Sequence, residues 1–177
     1  VNATNSFYNG KLKSKSVAQI PFDFSKYPLL RQNLLEYGGT SLKLVDKTNG
    51  KLPTVENVTI ITEIINDLKK YNPKCEIAVL AFNRDTIRFL QKEVFSKCSN
   101  TDSVLVETID RIQGLTTDFC IFFIPEESIP FAIQINRFNV ATSRARYCTL
   151  IIASKEINHF INLNNEIQNY FNTLKPI

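Results

Sequence analysis

Residues 76–124 read EIAVLAFNRDTIRFLQKEVFSKCSNTDSVLVETIDRIQGLTTDFCIFFI. Within this stretch "EIAVLAF" (76–82) and "FCIFFI" (119–124) are apolar at successive positions, the pattern of strands buried on both faces. Between them, "NRDTIRFLQKEVFSKC" places Ile87, Leu90, Val94, Phe95 and Cys98 on one face of a predicted helix, and "SVLVETI" (103–109) reads as a third strand. Short, doubly apolar strands alternating with amphipathic helices build a parallel sheet covered on both sides. The expected fold class is therefore α/β, with helices on both faces of a parallel sheet.

The flanking sequence extends this pattern. "SLKLV" (41–45) is a short strand, and "PTVENVTIITEIINDLKKYNP" is an amphipathic helix with Val55, Val58, Ile61, Ile65, Leu68 and Tyr71 at helical spacing. After "PEESIP", a helix around Ile133–Arg144 leads into a fifth strand, "YCTLIIA" (147–153), and an amphipathic helix from about Glu156 to Leu174. Residues 1–40 are less regular, with a turn expected at Asn9-Gly10 and a short helix after Pro28 stopped by Gly38-Gly39. They read as an arm or the start of the domain that residues 41–177 form.

Hydrophobic residues make up 44% of the 177 and charged residues 21%, ordinary for a soluble globular domain, and a net charge of +4 permits a phosphate-bearing partner without demanding one. No apolar run approaches a membrane span and the N-terminus carries no signal-peptide pattern, so a cytoplasmic protein with no membrane partner is expected. Cys75, Cys98, Cys120 and Cys148 are scattered and there is a single histidine, which argues against a zinc site and a disulfide framework. There is no methionine, even at position 1, which suggests a segment of a longer protein.

The chemistry begins with an absence: none of the five glycines opens a G-x-x-x-x-G-K-[ST] loop. In parallel α/β sheets ligand-facing residues gather at the carboxyl ends of the strands, which here selects Phe82–Thr86, Thr108–Asp118 and Asn136–Arg146. In "ETIDRIQGLTTDF", Gly114 offers positive φ or close backbone approach, and Thr108, Asp110 and Gln113 offer short polar groups beside it. A plain turn capped by Thr and Asp fits the same residues. In "NRFNVATSRARYCTLIIAS", Arg144 and Arg146 are expected at the rim of the sheet, with Arg137 on roughly the same helix face as Arg144. A planar guanidinium grips phosphate in two places; equally, such arginines cap carbonyls or pair with acids at a helix C-terminus.

Taken in order, "EIAVLAFNRDTIRFLQKEV", "VETIDRIQGLTTDFCIFF" and "NRFNVATSRARYCTLIIAS" resemble motifs IV, V and VI of the C-terminal RecA-like motor domain of superfamily 1 DNA/RNA helicases, closest to the branch of the nonsense-decay RNA helicase. The resemblance implies a P-loop NTPase-type fold lacking its own P-loop, in an ATP-dependent helicase or translocase acting on single-stranded DNA or RNA. It makes Arg144 the arginine finger and places Gln113, Gly114, Thr116 and Arg146 with it on the ATP side. Asn83, Arg84, Thr108 and Asp110 fall on the nucleic-acid side. ATP and Mg2+ would be held mainly by an N-terminal RecA-like domain of the same polypeptide, whose Walker groups this chain lacks, so the chain alone is expected to be inactive. Two departures stand out: Thr116 replaces the glutamate of Gln-Gly-x-Glu-x-Asp, and Asn83-Arg84-Asp85-Thr86 replaces Tyr-x-x-Gln. Both leave room for a different protein, a non-catalytic nucleic-acid-binding or regulatory domain with a degenerate RecA-like fold.

Overall fold

A computed structural model describes residues 40–46, 48–161, 165–172 and 174. The turn expected at Asn9-Gly10, the helix after Pro28 and the boundary of the N-terminal arm lie outside the described residues. Among the described residues five strands form one parallel sheet: β1 (Thr40–Val45), β2 (Ile77–Ala81), β3 (Val104–Thr108), β4 (Thr117–Ile124) and β5 (Ala145–Ser154), in spatial order β1-β5-β4-β2-β3. Helices α1 (Val55–Tyr71) and α2 (Arg84–Lys97) cover one face. The other face carries α3 (Ile129–Ala132), α4 (Ile135–Thr142), α5 (Ile157–Ile161) and α6 (Asn165–Asn172). The α/β expectation is met.

The alternation of β4 explains the layers. Phe119, Ile121 and Phe123 face α1 and α2, while Cys120, Phe122 and Ile124 face α4 and its neighbours, and all six are at most 2% exposed. A strand so placed has no solvent face to keep polar. Beneath it, Phe138 of α4 meets Phe122, Tyr170 and Phe171 at ring-centroid distances of 5.9, 4.9 and 5.5 Å. This aromatic cluster seats α4, the helix that leads to Arg144. The four cysteines are free thiols, three of them buried.

Local signals set the helix starts. Thr54 and Asn57 form a reciprocal capping box at α1, and Asn83 caps α2 by accepting from the Asp85 N–H at 2.8 Å. Four expectations need correction. Val55 is 79% exposed, because the stripe that reaches the sheet begins at Val58, and Phe95 is 51% exposed, because it flanks rather than continues the Ile87–Leu90–Val94 line. The helix expected around Ile133–Arg144 ends at Thr142, and β5 begins two residues earlier than the apolar run, at Ala145. Of the C-terminal helix expected from about Glu156 to Leu174, Ile157–Ile161 (α5) and Asn165–Asn172 (α6) are helical, and residues 162–164 lie outside the described residues.

Edge strand β3 has three of its outward backbone groups taken by other parts of the chain. The Ile77 N–H donates to Ser103 O, so residues 103, 105 and 107 bond toward β2 and 104, 106 and 108 point outward. Val104 N–H is met by Thr101 O, Val106 O by the Gln91 amide at 2.9 Å, and Thr108 N–H by the Glu107 carboxylate at 2.7 Å. Elsewhere the Lys69 ammonium, 2% exposed, donates to the carbonyls of Pro73, Cys75 and Asp102, tying the end of α1 to the starts of β2 and β3.

Lys69→Ala strands those carbonyls and should cost about 2–3 kcal/mol of stability in urea denaturation. Glu107 gives a pH signature. Burial pushes its carboxyl up, but the Thr108 N–H, Arg111 and the Thr108 hydroxyl outweigh that and hold it below its ordinary value of 4.5. Its contribution is therefore present above pH 4.5 and lost as pH falls through the folded value. Denaturation of wild type and Glu107→Gln across that range should show the stability gap closing in acid; a gap constant with pH would contradict it.

Candidate functional site

The candidate residues fall on opposite rims of the sheet. Thr108 ends β3 level with Ala81, and Asn83 and Arg84 follow directly, so these three share the carboxyl rim. Arg144 and Arg146 lie instead at the amino rim, because β5 starts at Ala145, paired with Thr117 at the start of β4. The expectation that Asn136–Arg146 gathers at the carboxyl rim holds only for its beginning: α4 is the crossover from one rim to the other. From the register, the rims stand about 20 Å apart along the strands, six residues at ~3.3 Å each.

At the carboxyl rim Arg84 is exposed, with no ion pair among the described residues. Thr108 is 7% exposed, and its hydroxyl lies 3.3 Å from the Glu107 carboxylate that also holds its N–H. Arg111 pairs with the other oxygen of Glu107 at 3.4 Å. Thr86, where the resembling family has glutamine, is fully buried and donates to Lys51 O at 2.7 Å, a packing role.

A one-turn 3₁₀ helix, Ile109–Ile112, and the exposed residues Gln113–Thr116 descend from this rim to β4. Gly114 adopts φ +90°, a conformation that favours glycine, yet a Cβ there would meet nothing within 4 Å. Backbone shape rather than a close packed neighbour explains the glycine. Asp110 and Gln113 face Asn136, Arg137 and Val140 of α4 across a shallow open depression that Ile109 also lines. Neither Asp110 nor Arg137 forms an ion pair among the described residues.

The amino rim separates the two arginines. Arg146 is neutralised: its Nη1 lies 2.5 Å from Glu76 Oε2 and 2.9 Å from Asp118 Oδ1, and these bonds push its pKa further up. Arg144 caps the helix instead. Its Nε donates to Val140 O at 2.7 Å, Nη2 to the Ser143 hydroxyl at 3.0 Å and Nη1 to Leu115 O at 3.5 Å. Both contacts that arginines make at a helix C-terminus are therefore realised, one by each residue. The difference matters chemically, because among the described residues no carboxylate offsets the half-buried Arg144 charge. Thr116 is exposed just before Thr117, whose N–H donates to Arg144 O at 2.9 Å. Glu76 was not legible as part of this site, since its partner Arg146 stands 70 positions later. Glu107 and Arg111 were likewise missed, although their i, i+4 spacing on either side of Thr108 is a readable signal.

Among the described residues no group of three or more His, Cys, Asp or Glu could hold a metal ion, and no helix is long and apolar enough to cross a membrane.

No curated protein matches the chain. Among solved structures it is similar to the C-terminal domain of a possible DNA helicase from Lactobacillus plantarum WCFS1, at 11% identity and a TM-score of 0.53, over 87% of this chain and 92% of that one. At that identity the likeness concerns the fold, a RecA-like arrangement of helices around a parallel sheet. The profile of the AAA domain family matches residues 2–156. Spanning most of the 177 residues, that match shows that the chain belongs to the AAA domain family.

Proposed function

We propose that this chain is the C-terminal motor domain of an ATP-dependent superfamily 1 helicase or translocase moving on single-stranded DNA or RNA, nearest to the nonsense-decay branch. The observation that carries the reading is the unequal state of the two rim arginines: Arg146 is spent on two carboxylates, whereas Arg144 keeps an uncompensated charge. A permanent, planar cation suits the charge that grows on a transferring phosphoryl group. Arg144 would leave the Val140 carbonyl and meet the γ-phosphate of ATP bound, with Mg2+, on a P-loop-bearing N-terminal RecA-like domain of the same polypeptide. Gln113, Gly114, Thr116 and Arg146 line or brace that side. At the carboxyl rim Arg84 offers a free charge to a strand phosphate, with Asn83 next to it in sequence, Thr108 at the same rim and Asp110 two residues further on; Thr108 would have to exchange its bond to Glu107 to take part. Such contacts position a strand without reading its sequence. We place the protein in the cytoplasm.

Thr116, standing where the resembling family has glutamate, supports a second reading as a non-catalytic nucleic-acid-binding or regulatory domain. One assay separates the two: ATP hydrolysis by the protein carrying both motor domains, with and without single-stranded DNA and RNA. Nucleic-acid-stimulated turnover is expected, and its absence would leave the second reading. Arg144→Ala should lower that turnover by about 10³-fold or more, the scale of an arginine finger. Thermal melting should show the fold intact, and near-normal turnover would remove Arg144 from the role. The chain alone, lacking a P-loop, should not turn over ATP.

A further inference from the structure

We infer that Asp118 is a positioning residue for Arg144, acting through Arg146 and an irregularity in β5; the inference rests on the finger reading of Arg144. Register between β4 and β5 shifts between the pairs Thr117↔Ala145 and Phe119↔Cys148. Arg146 and Tyr147 therefore stand opposite the single residue Asp118. Two residues against one is a β-bulge, which bends its strand and re-aims the side chains on it.

The bulge turns Arg146 onto an acidic bracket. Asp118 Oδ1 accepts from its guanidinium at 2.9 Å, and Asp118 Oδ2 accepts from the Glu76 N–H at 3.0 Å. The Glu76 carbonyl in turn accepts from the N–H groups of Asp118 and Phe119, both at 3.0 Å. Asp118 is thus fixed to the start of β2 through backbone and side chain together. Its side chain is 18% exposed against 48% for Glu76, so its bond to Arg146 is the less screened of the two.

Arg144 is attached to this bracket on both sides. It is two residues from Arg146, and its carbonyl accepts from the N–H of Thr117, the neighbour of Asp118. The bracket therefore does two things: it fixes the backbone from which the Arg144 side chain projects, and it occupies the arginine that would otherwise compete for the same anion. Charge on Asp118 is what both require.

The test uses the ATP-hydrolysing protein that carries both motor domains. Asp118→Asn should lower kcat by about 10²-fold while KM for ATP moves by less than about threefold, because misplacing a group that acts on the transition state costs rate rather than ground-state binding. Added to Arg144→Ala, it should cause no further loss in single-turnover hydrolysis, since residues acting as a unit are not additive. Additive losses, or wild-type kcat for Asp118→Asn beside an inactive Arg144→Ala, would overturn the inference and leave the finger reading standing. An active Arg144→Ala would overturn the finger reading itself, and this inference with it. Should Asp118→Asn not fold, Glu76→Gln leaves the backbone bonds of the bracket in place and should lower kcat by a smaller factor at unchanged melting temperature; unchanged kcat would overturn the inference.

Discussion

The carboxylate of Asp118 is the constraint on which the amino rim depends. One oxygen holds the start of β2 and the other holds Arg146 of β5, with β4 carrying the carboxylate between them. Parallel strands are joined by long crossovers, so no tight turn sets their register. Apolar alternation fixes which face each residue takes, and ties at the strand ends must do the rest. Once β4 and β5 are aligned by these bonds, the Thr117 N–H finds the Arg144 carbonyl, and α4 must end at Thr142 for the chain to reach Ala145. Phe138, packed among Phe122, Tyr170 and Phe171, holds the other end of that arrangement inside the core.

The fold was legible because burial on both faces leaves a plain mark. "FCIFFI" has no polar position, and the structure gives it none to fill. The starts of α1 and α2 carry local signals too, Thr54–Asn57 and Asn83, whereas α3 begins inside the "PEESIP" read as a connection. The site was legible only in composition. Periodicity says that Asn136–Arg146 is a helix followed by a strand, but not that this helix carries the chain from one rim to the other. Nor could it separate Arg144 from Arg146, whose states are decided by Glu76, Asp118 and Val140. Two of those three are remote in sequence. Thr108 shows the same limit at shorter range: the sequence offers a hydroxyl, and the adjacent Glu107 takes it.

With the arginines on one rim and Arg84 and Thr108 on the other, anything that relates the two must pass along the sheet's height. Two segments do so on the face of α4: the helix itself and the connection through Ile109–Thr116. They meet across the depression where Asp110 and Gln113 look onto Asn136, Arg137 and Val140. Val140 belongs to both ends of the problem, because it lines that depression and its carbonyl holds the Nε of Arg144. Energetic coupling between distant sites needs a physical element that both can bias. One turn of α4, from Arg137 to Val140, is shared by both rims. Arg137, which looks onto Asp110, and the carbonyl that accepts from Arg144 stand on the same turn, so the two rims are joined by the last residues of a single short helix.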